Sequence, residues 1–202
     1  PPSGKRSVAT LEDVLCPELL CAHCIEVEAG EIALLAAHDV PVAHCPRSNA
    51  LLGCAPAPLA DFLAAGLRVG LGTDSPASTP SFDIFDELRA AVYVARTREQ
   101  RPDALTAEAA LRLATIDAAR ALGLDRTIGS LTPGKKADLT AVSLAESPYH
   151  PIEDPAAAVV FGGSPERVLE TIVDGQTRYR QGETAWHEVR STASDARRRM
   201  LA

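Results

Sequence analysis

The sequence predicts an α/β fold in which parallel strands are covered by helices, followed by a small β module. Three observations carry this reading. From residue 18 to residue 74 one unit repeats, a short apolar strand, a few loop residues and an amphipathic helix that leads to the next strand. The strands of this region are apolar on both faces, as strands packed under helices are. After residue 125 the period shortens to alternation punctuated by turn signals, the pattern of a small antiparallel sheet.

In chain order, strands are expected at residues 19–24, 40–45 and 67–72. The helix between the first two, residues 29–38, places Ile32, Leu35 and Ala36 on one face; residues 59–65 do the same with Leu59, Phe62 and Leu63. Two longer helices follow at 82–97 and 106–122, the second with Thr106 as N-cap, Glu108 in its first turn and Gly123 as its stop. Thr132-Pro133-Gly134-Lys135 reads as a turn into a strand at 137–142. Further strands are expected at 157–161, 167–173 and 177–180, with Asp174-Gly175 as a hairpin turn. Residues 191–202, with Arg197-Arg198-Arg199, read as a solvated terminal helix. Three parallel strands cannot close a barrel, and an open arc would leave an edge and an inner face bare, so a partner segment is expected.

The chain has 202 residues, 46% hydrophobic and 23% charged, the composition of an ordinary globular protein. It starts at Pro1, not Met, and residues 1–5 read as a loop, so a native start upstream is expected. No apolar run approaches the roughly 18 residues of a membrane span, and no basic segment precedes an apolar one at the N-terminus. The net charge of -7 disfavours a polyanionic partner, which argues against nucleic acid. Five cysteines, an odd number all before residue 55, suit a reducing cytoplasm better than a disulfide framework. Cys21-Ala22-His23-Cys24 invites a zinc-knuckle reading, but residues three apart on a strand face opposite sides, which argues against it.

All three parallel strands end in chemically capable residues: Ala22-His23-Cys24, then His44-Cys45-Pro46-Arg47-Ser48-Asn49, then Gly72-Thr73-Asp74-Ser75. In a parallel α/β barrel the strand bodies are packed core, so reactive groups collect at the C-terminal ends of the strands. His23 and Asp74 are therefore expected to point into one cavity. Alone, each reads as structural, a hydrogen-bonded histidine or a helix N-cap; the convergence of three strand ends favours a site.

These segments, together with Ile128-Gly129-Ser130-Leu131-Thr132-Pro133-Gly134-Lys135-Lys136-Ala137-Asp138-Leu139, closely resemble the amidohydrolase superfamily. The branch is that of chlorohydrolases and of S-adenosylhomocysteine, aminofutalosine and guanine deaminases, and the likeness runs from about residue 7 to 183. The resemblance implies the C-terminal part of a (β/α)8 TIM-type barrel, residues 1–125, then part of a small β-sandwich domain, residues 126–190, and a tail helix, 191–202. By it the three strands are strands six, seven and eight. Asp74 is then the metal ligand of strand eight and His23 the strand-six histidine that contacts the attacking water or the atom it attacks. His44, Asn49 and Ser75 are expected to contact substrate. The expected metal is zinc, with iron as the alternative. The His-x-His of strand one and the His-x-x-Glu of strand five, which supply the other ligands and the general acid, are absent from these residues. The N-terminal half of the same protein is accordingly an expected partner, a homodimer is left open, and the expected location is the cytoplasm.

The chemistry explains the residue types. Bound zinc makes hydroxide from water near neutral pH, a carboxylate accepts the proton, and an imidazole stabilises charge in the tetrahedral adduct. The leading expectation is an aminohydrolase that replaces the exocyclic amine of a purine-like base or nucleoside with oxygen. Phe85-Asp86-Glu87-Leu88-Arg89-Ala90-Ala91 resembles the aminofutalosine deaminases in particular. A chlorohydrolase, a cyclic amidohydrolase, and a catalytically inactive structural or partner-binding module are the alternatives. Gly129 to Lys135 lacks the phosphate-loop pattern and precedes a strand, so it reads as a turn. His38, His150 and His187 are placed in a helix end, a Pro-rich loop and a strand near the tail, without a role. Glu87 and Arg89 read as a solvated helix face in preference to supports of the site.

Overall fold

A computed structural model describes residues 7–145, 147–183 and 186–201; the loop expected at residues 1–5 lies outside them. Three βα units lead the fold. β1 (Cys21–Ala22), β2 (Val42–His44) and β3 (Val69–Leu71) form a parallel sheet in the order β1-β2-β3, with Cys21 opposite Val42 and Val42 opposite Val69. The strands are shorter than their apolar runs, because the ends of those runs turn into loops.

Between β1 and β2, α1 (Ala29–Ala37) starts at a capping box in which Glu28 and Glu31 serve each other's backbone N–H groups, and it buries Ile32 and Leu35. Pro46 opens a short helix, α2 (Pro46–Leu51), directly after β2, where the sequence had suggested only loop; proline at the first helical position loses no intrahelical bond. α3 (Leu59–Ala64) then buries Leu59 and Phe62. With Val40, Val42 and Val69 these side chains fill the layer between sheet and helices.

After β3, α4 (Ile84–Glu99) is capped by Asp83, whose carboxylate accepts from Phe85 N at 2.8 Å. The single helix expected over 106–122 is two, α5 (Ala107–Leu113) and α6 (Ile116–Ala121). Thr106 caps α5 as expected, and Gly123 follows α6 in the left-handed region, φ +69°. The break falls at Thr115, whose backbone leaves the helical region while its hydroxyl donates to Leu111 O at 2.7 Å. It lets α6 dock on β3, where a Cβ on Gly70 would stand 2.8 Å from Ala118 Cα, so only glycine fits.

The second sheet is antiparallel, β4 (Leu139–Val142), β5 (Val168–Val173) and β6 (Gln176–Arg180) in that order. Its expected turns are present: Lys135 N donates to Thr132 O at 3.2 Å with Gly134 at φ +91°, and Asp174-Gly175 takes two positive φ values at the hairpin. The strand expected at 157–161 is instead a helix, α7 (Pro155–Gly162). Asp154 accepts from Ala157 N and Pro155 takes the first helical position, and these start signals outweigh the β propensity of Val159, Val160 and Phe161. α7 buries Ala158 and Val160 against α4 and α5. The tail is α8 (Trp186–Leu201), so His187 lies in a helix, not a strand. Among the described residues no helix is long and apolar enough to cross a membrane.

Candidate functional site

The site begins where the ladder bonds end. His23 N–H still donates to Ala43 O at 2.9 Å, and Gly72 N–H to His44 O at 2.9 Å, so sheet pairing continues to the residues that leave it. Immediately beyond, His23, Cys24 and Asp74 take left-handed backbone conformations, φ +67°, +46° and +60°. Aspartate and histidine tolerate this region better than most residues, yet three such positions at one sheet end are a local concentration of strain, which functional sites often carry.

These turns aim His23 and Asp74 at each other. His23 Nε2 stands 3.8 Å from Asp74 Oδ2, with side chains 35% and 26% exposed. Asp74 is held from three directions: Ser48 Oγ and Ser78 Oγ donate to Oδ2 at 2.6 and 2.7 Å, and Ser75 N–H donates to Oδ1 at 2.7 Å. Those bonds, the Ser48 and Ser78 hydroxyls first, pull its pKa down to about 2, so it is ionised throughout the neutral range. On the other side His23 Nδ1 lies 2.8 Å from Asn49 Oδ1. Ser48 and Asn49 are neighbours on α2, so one short helix after the middle strand holds both members of the pair.

Of the expected site residues, the structure thus brings together His23, Asp74, Asn49 and Ser75. It does not bring His44 with them. As the last residue of β2, His44 shares a face with Val42, the face covered by helices, and is 1% exposed in a small pocket with Asn49, Pro46, Ala57 and Val94. Burial, with a smaller push from His23, lowers its pKa to about 4, so the ring is neutral.

Sequence reasoning missed the support behind α2. Glu87, read as part of a solvated face, is fully buried and receives Arg47 N–H at 3.3 Å, with Arg47 Nε 2.9 Å from its Oε1. Arg47 also reaches Asp86 Oδ2 at 2.9 Å and the hydroxyl and carbonyl oxygens of Ser81. Arg89 links Asp86 to α7 through the carbonyl oxygens of Val160 and Gly163. Burial raises the Glu87 pKa while Arg47 opposes it. Ser48 lay inside a motif already singled out, and Ser78 follows Asp74 at a spacing of four; Arg47 and Glu87, 40 residues apart, left no local signal.

Whether these side chains suit a metal can be tested on their geometry. Two donors bound at about 2.1 Å to one ion lie no more than about 4.2 Å apart, and the His23–Asp74 pair satisfies this. The carboxylate is ionised and oriented, as a ligand must be. Among the described residues, however, no three His, Cys, Asp or Glu side chains form a metal-binding group, so the pair fits zinc as part of a donor set only. Cys21 and Cys24 do not extend it. They hydrogen-bond each other, because β1 stops at Ala22 and the left-handed turn brings Cys24 back, contrary to the expectation that they face opposite sides; burial pushes the Cys24 thiol up to about 12, far from a ligating thiolate.

Comparison with known proteins agrees with this geometry. Residues 5–178 match the amidohydrolase family. A 5-methylthioadenosine/S-adenosylhomocysteine deaminase from Moorella thermoacetica is 37% identical over 182 residues, which are 90% of this chain and 42% of that protein. The crystal structure of an adenosine deaminase from Xanthomonas campestris with bound zinc superposes with a TM-score of 0.93 at 30% identity, covering 98% of this chain and 46% of that one. Atrazine chlorohydrolase from Arthrobacter aurescens complexed with zinc does so with a TM-score of 0.83 at 26% identity, covering 90% and 41%. The chain spans less than half the length of the relatives it matches.

Proposed function

The chain belongs to the amidohydrolase family, and from that premise we propose that it is the C-terminal part of a zinc-dependent aminohydrolase acting on a purine nucleoside. In this reading β1, β2 and β3 are strands six, seven and eight of a (β/α)8 barrel, within residues 1–125. The segment from residue 126 to β6 contributes to a β-sandwich domain, and α8 is the tail helix. The remaining metal donors come from a preceding part of the protein. The relatives support a 5′-modified adenosine as substrate, ahead of guanine or aminofutalosine. The reaction adds water to the amidine carbon, forming a C–O bond, and breaks the C–N bond so that ammonia leaves.

The single observation that carries the reading is the His23–Asp74 pair, 3.8 Å apart beyond the ends of the two outer strands of one parallel sheet and held by Ser48, Ser78 and Asn49. Bound zinc would supply a nucleophilic hydroxide at neutral pH. Asp74 serves as the ligand of strand eight and as an acceptor for the proton of the attacking water. His23 presents its imidazole to the developing charge on the adduct. Ser75, exposed beside Asp74, lines the entrance for substrate, and Asn49 acts on substrate through His23. His44 supports the pocket wall from behind. The likeness to atrazine chlorohydrolase favours hydrolysis of a C–Cl bond as the second reading.

The test is ammonia release by the full-length, zinc-loaded protein over a panel of adenosine derivatives and guanine, with chloride release from a chlorotriazine measured beside it. Asp74→Asn should cut turnover at least ~100-fold, since the amide is a poorer ligand and no proton acceptor. His23→Ala should keep its metal and lose most turnover. Undiminished turnover in Asp74→Asn would refute the assignment.

A further inference from the structure

The face of β2 turned away from the reacting pair carries an arrangement that the proposed chemistry does not use. His44 is 1% exposed and neither ring nitrogen has a hydrogen-bond partner among the described residues; Asn49 is 4% exposed and its Nδ2 has none either. Both side chains line the same pocket, of about 80 Å³, walled by Pro46, Ala57 and Val94 and open to solvent beside the exposed Cys54. The three buried, unpartnered polar atoms thus belong to two residues that line one space. A water needs about 10–15 Å³ of such space, so the pocket has room for more than one. Unsatisfied buried donors and acceptors are costlier than the immobilisation of such waters.

We infer that this pocket is a site for ordered water, bridging the His44 ring to Asn49 Nδ2 and so completing a hydrogen-bond chain that ends on the ring of His23. The direction of the chain follows from the inventory of each group. Asn49 offers one acceptor and one donor group. With Nδ2 donating into the pocket, Oδ1 is turned to His23 and can only accept, at 2.8 Å, from Nδ1–H. Of the two neutral tautomers only the one with Nδ1–H can make this bond, so the Nδ1–H form is selected and the Nε2 lone pair is kept for the side facing Asp74. Neutral His44 offers one acceptor nitrogen and one N–H to the waters, which suits a dipolar ligand and not a cation. Asn49 is thus a positioning residue that sets the His23 tautomer, and His44 with its water sets Asn49.

The consequence for turnover rests on the reading of His23 above; the water and the tautomer do not, and both are measured on the full-length protein without substrate. A high-resolution crystal structure should show water bonded to both a His44 nitrogen and Asn49 Nδ2. Nitrogen chemical shifts of labelled histidine should report His23 as the Nδ1–H tautomer. A pocket without water, His44 paired with a protein group instead, or an Nε2–H tautomer at His23 would each overturn the inference. His44→Phe, which fills the pocket, should lower kcat about tenfold at unchanged KM and mix the His23 tautomers, while His44→Gln, which can still bond water, restores both. A His44→Phe protein that melts like the parent yet keeps the pure Nδ1–H tautomer would overturn the chain from His44 to His23, whatever the deaminase assay gives.

Discussion

Buried, neutral His44 makes the stability of this fold depend on pH in a direction that can be worked out. Burial disfavours the charged ring, so the folded protein keeps it neutral down to about 4, whereas an unfolded chain takes up the proton at its ordinary value of 6.5. Above pH 6.5 neither state binds the proton and His44 adds no slope. Below it the unfolded state binds more protons, so stability falls as pH drops and the loss levels off below about 4. At up to ~1.4 kcal/mol per pH unit, the full interval costs about 3 kcal/mol. Other titrating groups contribute as well, so the measured quantity is the difference between the parent protein and His44→Gln, which lacks the titrating ring. Urea unfolding followed at a series of pH values between 7 and 4 gives that difference. The parent should lose about 3 kcal/mol more than the variant over this range, and nothing more between pH 7 and 8. A difference that is flat, or that grows as pH rises, would refute the assignment of a neutral, buried ring.

Two further outcomes follow from the packing. Glu87→Gln removes the buried partner of Arg47 Nε and leaves the guanidinium to Asp86 and Ser81, and should lower unfolding stability by about 2 kcal/mol in a denaturant titration; a change well below 1 kcal/mol would mean that the pair is screened by solvent. Gly129→Ala places a Cβ 2.6 Å from Ala119 Cβ at φ +86° and should cost at least about 2 kcal/mol, whereas Gly134→Ala, at φ +91° in open space, should cost only about 1 kcal/mol; equal losses in thermal melts would refute the close contact.

The βα units and the meeting of His23 with Asp74 were legible because both leave local marks. An apolar run followed at once by His23, or by Gly72-Thr73-Asp74, states the strand and the polar end in consecutive letters. Pro46 was an equally local mark of α2, passed over because the polar residues after it look like loop. What could not be read was the pairing of distant groups. Glu87 lies on a helix whose sequence is rich in charge, and only its meeting with Arg47 shows that the charge is inside. Residues 157–161 failed for a different reason: a short apolar run fits strand and helix alike, and its cap, three residues earlier, decides. His44 was expected beside the substrate, but successive residues of a strand face opposite sides, and His44 shares with Val42 the face that the helices cover.

The bonds from His23 N–H to Ala43 O and from Gly72 N–H to His44 O carry one more consequence. They are made by main chain, so the backbone anchorage of His23 and of the residues before Asp74 is indifferent to which side chains fill the connecting loops. Residues 52–56, and 76–82 apart from Ser78, Thr79 and Ser81, can be exchanged as cassettes while the points of departure of His23 and Asp74 stay put. A lineage, or an engineer, can thus vary the loops around the His23–Asp74 pair without rebuilding the sheet that carries it.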